Sequence, residues 1–262
     1  DLDEPIRQRW SDFPPPREGG APVTARDLLA HTSGLSHPLP VGWVRTLDQP
    51  VPELDAFVSR QLRRQRPSGG SPTRYTNLGY LVLERWVQLV TGQSFERVLR
   101  ELVLEPLGMT QTSFAPLGAM VAAGHQRKGA GAWLLRAAIP RSSRYIAAVT
   151  KDFYVLHPFA PVGLAYGGLV GPLSDLLRLL GMFVGLGRSK EGAQVLSERS
   201  VREMTTVWGR GEGDMGLGCW RDGHTWVHEG AAVGSRAAVR LDLEARRAVA
   251  VLVPVTSFDV DG

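Results

Sequence analysis

The run from Arg74 to Gly92 constrains this chain more than any other stretch. Tyr75 and Asn77 stand two residues apart, after a loop of Gly69, Gly70, Ser71 and Pro72 and ahead of an apolar run. Val82, Leu83, Trp86, Val87 and Val90 recur at helical spacing, with Glu84, Arg85 and Gln88 on the other face. Asn77 is expected as the N-cap, because its side chain can accept a bond from the first free N–H groups of the helix. Gly92 is expected to end the helix in a left-handed conformation. A tyrosine and an asparagine held at the mouth of a rigid helix can face one pocket together. The same residues also fit a capped helix with a turn tyrosine and no chemistry.

The totals narrow the function classes. Hydrophobic residues make up 43% and charged residues 21%, an ordinary globular balance, and 262 residues suffice for one large or two modest cores. The net charge of +4 is spread along the chain, and the only lysines are Lys128, Lys151 and Lys190. With no dense basic stripe interleaved with aromatics, nucleic-acid binding is not expected. Cys219 is the only cysteine, so an intrachain disulfide is excluded. No apolar run is long enough to span a bilayer, and membrane contact is not expected from this segment.

Other segments supply scaffolding. Thr24 is expected to start a short helix, with Asp27 completing an imperfect capping box. Leu28 to Leu35 then looks like a helix end capped by Gly34, in which the hydroxyls bond nearby backbone; nucleophilic chemistry using His31 and Ser33 is the sharper alternative. Further helices are expected from Pro52 to about Arg63, from Ser94 with Phe95, Val98, Leu99 and Leu102 inward, after Ser174 and Asp175 as cap and first-turn acid, and from Ser197. Leu107 and Met109 are expected to be buried in the turn after Pro106. Residues 124–162 fit a surface insertion, with a substrate-shaping lid, or a membrane-surface contact near Trp133 to Arg144, as alternatives. Toward the C-terminus the period changes to that of strands: Thr225 to Val227, Ala237 to Leu243 and Ala248 to Val253, the last two joined by a turn at Glu244-Ala245-Arg246.

Several phrases, in order, resemble the penicillin-recognising serine hydrolases related to class C β-lactamases, DD-peptidases and esterases. Tyr75-Thr76-Asn77 resembles the family's Tyr-x-Asn element. Leu28-Leu29-Ala30-His31-Thr32-Ser33-Gly34-Leu35 and Glu105-Pro106-Leu107-Gly108-Met109 resemble its structural signatures. His228-Glu229-Gly230 resembles the third element, normally Lys or His-x-Gly, in its His form. Glu229 stands where that element usually has Thr or Ser. The resemblance implies an α+β, β-lactamase/transpeptidase-like fold over residues 1–262, with a mainly helical lobe near 22–185 and a sheet-bearing lobe near 190–262.

The resemblance also implies roles. In a complete relative, a serine attacks a carbonyl and forms an acyl-enzyme. Tyr75 would take or relay the proton, His228 would tune that network, and Asn77 would bond the substrate amide or ester. Gly230 and Ala231 would border the substrate, with the Ala231 N–H as half of an oxyanion hole. No metal or cofactor is implied. The expected partner is a small ester, amide or peptide, and a periplasmic or secreted location is implied. His228 and Glu229 in place of Lys-Thr favour an esterase or peptidase over a β-lactamase. The family's Ser-x-x-Lys is absent: His125, Ala148 and Gly187 stand three residues before the three lysines. Aligned on Asp1 to Ile6, the nucleophile falls upstream of residue 1, so these residues are expected to be inactive alone. A catalytically silent binding or regulatory homologue is the alternative.

Overall fold

A computed structural model describes residues 1–38, 42–114, 121–129 and 142–256. Short helices α1 (Ile6–Arg9) and α2 (Ala25–Leu29) precede strand β1 (Val44–Thr46) and helix α3 (Leu54–Leu62). The central helix α4 (Asn77–Thr91) follows, then α5 (Phe95–Leu99), which runs into a π turn at Arg100–Leu104. Strands β2 (His125–Arg127), β3 (Ile146–Val149), β4 (Phe153–Leu156) and β5 (Phe159–Pro161) lead to helices α6 (Leu173–Val184) and α7 (Glu198–Met204). The chain then forms β6 (Trp220–Asp222), β7 (Thr225–Ala232), β8 (Ser235–Asp242) and β9 (Arg247–Val253), an antiparallel sheet in that order.

α4 is the axis of the helical part. Leu78, Leu81 and Val82 are completely buried and meet Ile6, Phe13, Leu28, Phe57 and Val58 in one cluster. Each such side chain contributes about 1.5–3 kcal/mol by leaving water. A second cluster joins Leu104, Leu107 and Met109 to Met182 of α6, as expected for the Pro106 turn. A third seats Leu180 of α6 on Trp226 and Leu241 of the sheet. α6 thus carries apolar residues toward both the helices and the sheet.

The sheet positions a free edge. β6 pairs only with Thr225, Trp226 and Val227, whereas β7 pairs with β8 from Trp226 to Ala232. From His228 onward, β7 therefore has no strand on its β6 side among the described residues. Gly234, at φ +89°, closes the two-residue turn into β8, a position that favours glycine. The expected turn at Glu244 to Arg246 joins β8 to β9.

Several expectations hold at residue level. The Thr24–Asp27 capping box is complete, Ser94 and Ser197 cap their helices, and Gly92 ends α4 at φ +68°. Others are corrected. Thr76, not Asn77, caps α4: Thr76 is extended and its hydroxyl accepts the Leu78 N–H, which makes Asn77 the first helical residue. α2 stops at Leu29 with Ala30 as its C-cap, so His31, at φ +55°, takes the left-handed turn directly after it, and Gly34, at +68°, is left-handed three residues further on. Glu84 is buried, because the turn at 163–165 packs over its side of α4, and Val90, near the end of the helix, is exposed. The π turn leaves Leu102 outside and points Leu104 inward. Pro172, not Ser174, occupies the cap position of α6; Asp175 is the first-turn acid as expected, but it is buried and accepts the Gln111 N–H and the Thr112 hydroxyl. Of the segment from Trp133 to Arg144, residues 133–141 lie outside the described residues.

Candidate active site

Residues Thr73 to Thr76 run extended into α4, and their backbone N–H groups are all taken by distant segments. Thr73 N–H donates to the Arg210 carbonyl, Arg74 N–H to the His31 carbonyl, and Tyr75 N–H to the Glu212 carboxylate at 2.9 Å. Thr76 N–H donates to His31 Nδ1 at 3.2 Å, and Asn77 N–H to His37 Nδ1 at 3.3 Å. With its backbone held from every side, the segment presents two side chains outward. The Tyr75 phenol donates to Asn77 Oδ1 at 2.9 Å.

These two side chains line a cavity of about 390 Å³ with His37. The facing wall is Glu229, Gly230 and Ala231 of β7, at its open edge, with Arg236 of β8 beside them. Four residues singled out from the sequence, Tyr75, Asn77, Gly230 and Ala231, therefore share one cavity. An open strand edge presents unpaired backbone N–H groups, the donors that an oxyanion requires, and C=O groups that can accept from a substrate amide.

His228 sits one residue before that wall. Its Nδ1 donates to the Gly218 carbonyl at 2.8 Å, which leaves Nε2 as the ring's basic nitrogen. It also stands close enough to His31 for their charges to repel. His31 is 2% exposed, and its ring lies 4.6 Å from that of Tyr75 and stacks near-parallel on Trp220. Burial, with His228 and His37 nearby, holds the His31 imidazole down to about 4, so it is neutral at pH 7. His228 itself is not among the residues that line the cavity with Tyr75 and Asn77.

Loss of water around the Tyr75 ring raises its phenol above the usual tyrosine value. Among the described residues, the phenol meets the Asn77 amide and no cationic side chain. As placed here it is a hydrogen-bond donor at neutral pH. A nearby ammonium would be needed to make it a proton acceptor. Arg236 Nε is buried without an acceptor, and Arg236 forms no ion pair with Glu229 among the described residues. Among the described residues, no group of three or more His, Cys, Asp or Glu side chains is placed to hold a metal.

Sequence reasoning missed His37, Glu212 and Arg236. His37 lies in a segment without periodicity, and nothing around it marks a site. Glu212 had a usable signal: it stands between Gly211 and Gly213, and a Cβ on Gly211 would lie 2.6 Å from the Thr73 carbonyl. Glycines flanking an acid mark a close backbone approach. Arg236 looked like one more surface cation in an alternating strand.

The sequence matches the family described as Beta-lactamase over residues 1–260. It is 26% identical over 242 residues to penicillin-binding protein 4 of Amycolatopsis lactamdurans, an alignment covering 84% of this chain and 56% of that protein. The chain thus spans little more than half the length of that relative. The D-amino acid amidase from Ochrobactrum anthropi SV3, solved with D-phenylalanine, superposes with a TM-score of 0.72 at 20% identity, over 99% of this chain and 72% of that one. EstCE1, a hydrolase with promiscuous acyltransferase activity, superposes at 0.70 with 19% identity, over 98% and 74%. These likenesses establish a β-lactamase/transpeptidase-like α+β fold.

Proposed function

This chain belongs to the beta-lactamase family, and on that premise we propose that it builds the substrate-binding wall of a serine hydrolase acting on a small ester, amide or peptide. The observation that carries this reading is the Tyr75–Asn77 pair facing the open edge of β7 across one cavity. Asn77 bonds the substrate's amide or ester group. The Ala231 N–H supports the oxygen of the carbonyl under attack, where charge develops in the transition state. Tyr75 passes a proton to or from the reacting group, and His228, through His31, tunes its surroundings.

His228 and Glu229 in place of Lys-Thr support an esterase or peptidase over a β-lactamase. The Arg236 guanidinium on the cavity wall, whose buried Nε has no acceptor among the described residues, supports a substrate with a carboxylate near the scissile bond. No Ser-x-x-Lys stands among the 262 residues. Binding without turnover is therefore the second reading for these residues by themselves, and the absence of a cation on the Tyr75 phenol among the described residues favours it.

The test pairs a fluorophosphonate probe and an ester substrate with the purified 262-residue chain. No labelling and no turnover are expected. Where a catalytic serine has been removed from a hydrolase, kcat has fallen by roughly 10⁶. Stoichiometric labelling that disappears on Ser33→Ala or Ser235→Ala would overturn the assignment of the site.

A further inference from the structure

His31 is one of three non-glycine residues with positive φ among the described residues, at +55°. A side chain in the left-handed region is strained, and glycine would relax it. Strain of this kind persists only where the surroundings over-determine it, and it gathers at working sites. The surroundings here converge on one neighbour. The His31 carbonyl accepts the Arg74 N–H at 2.9 Å, and its Nδ1 accepts the Thr76 N–H at 3.2 Å. Its ring lies 4.6 Å from the Tyr75 ring. One residue therefore holds the residue before Tyr75, the residue after it, and the aromatic ring itself.

The ring has no freedom to do otherwise. It is enclosed by Tyr80 at 5.3 Å and Trp220 at 6.4 Å. Because Nδ1 accepts a backbone N–H, the neutral imidazole must carry its proton on Nε2. A turn that merely ended α2 would need neither the imidazole nor its tautomer.

We propose that His31 is the positioning residue for Tyr75: the strained turn after α2 places one imidazole beneath the Tyr75 ring and on the Thr76 N–H, and so aims the phenol at Asn77 and the cavity. This rests on Tyr75 being a site residue, but the geometry it asserts exists without substrate and is tested without it.

Two variants separate positioning from a plain turn. His31→Gly relaxes the backbone and removes the ring. His31→Asn also tolerates the left-handed conformation and offers an acceptor oxygen in place of Nδ1. The readouts are hydrogen exchange at the Thr76 amide and the ¹³Cζ resonance of Tyr75, assigned with Tyr75→Phe. In His31→Gly, Thr76 exchange is expected to accelerate about tenfold or more and the Tyr75 resonance to move, with the protein still folded. His31→Asn should restore Thr76 protection but not the Tyr75 resonance. A folded His31→Gly protein with parental values on both readouts would overturn the proposal. If neither variant folds, ¹⁵N spectra of the parent decide: an Nε2-protonated His31 is expected, and an Nδ1-protonated ring would refute it. Failure of the catalytic reading shows elsewhere, as unchanged ligand affinity in Tyr75→Phe with these readouts intact.

Discussion

The Tyr75 phenol donates to Asn77 Oδ1 at 2.9 Å, across the boundary between an extended segment and the first turn of α4. Both side chains are solvent-facing, so the bond adds little to folding, about 0.5–1.5 kcal/mol. Tyr75→Phe and Asn77→Ala should each shift the denaturant midpoint only slightly. Each should nevertheless weaken binding of a small N-acyl amino amide, measured by calorimetry, by about tenfold, as expected when a site's polar group loses its partner.

Thr76→Ala should have the reverse profile. It removes the side-chain cap of α4, whose hydroxyl accepts the Leu78 N–H at 3.2 Å. The expected cost is about 1 kcal/mol of stability by urea denaturation. Asn77→Ala should show no capping loss of that size, which separates the two residues' roles.

How much was legible in the sequence follows from what each signal depends on. Caps such as Thr24, Ser94 and Ser197 act within a few residues, so their chemistry is written locally. The Tyr75, Asn77, Gly230 and Ala231 positions were found by motif order, and the fold brings them to one cavity. Glu84 was misplaced because periodicity assumes a single buried face, and the 163–165 turn covers a second one. Gly34 is left-handed, at φ +68°, but it does not cap α2: that position falls to His31, while Gly34 answers to a different neighbour, a Cβ there lying 2.9 Å from Ser71 Oγ. His37, His31 and Arg236 take their places through contacts 40 or more residues away or across strands, which local pattern does not encode.

Glu84 gives a pH prediction. Its carboxylate accepts the N–H groups of Leu164 at 2.5 Å and Ala165 at 3.0 Å, and burial, outweighing those bonds, raises its pKa above the ordinary 4.5. The folded state thus holds this proton more tightly than the unfolded chain does. Its contribution is fully present below about pH 4.5 and is lost as pH rises through the raised value. Glu84→Gln keeps an acceptor oxygen and cannot ionise. Relative to the parent, it should therefore gain stability as pH rises from 4.5 to 8, measured as the difference in urea midpoints.

Arg236 should govern the charge of the ligand. Arg236→Gln is expected to weaken binding of an N-acyl amino acid with a free carboxylate by roughly tenfold, and to leave its neutral amide within about twofold, in line with the strength of charge-assisted bonds. Equal losses for both ligands would place Arg236 in the scaffold.

The central claim is that Tyr75 and Asn77 face the open edge of β7 across a substrate cavity. The most direct measurement is a ¹⁵N-resolved titration of the 262-residue chain with N-acetyl-alanine amide. Saturable shifts are expected at the amides of Tyr75, Asn77, Gly230 and Ala231, at one common affinity, and in Asn77→Ala those of Tyr75, Gly230 and Ala231 should saturate only at roughly tenfold higher ligand concentration. Saturable binding that leaves those four amides unmoved and shifts a different surface would contradict the account.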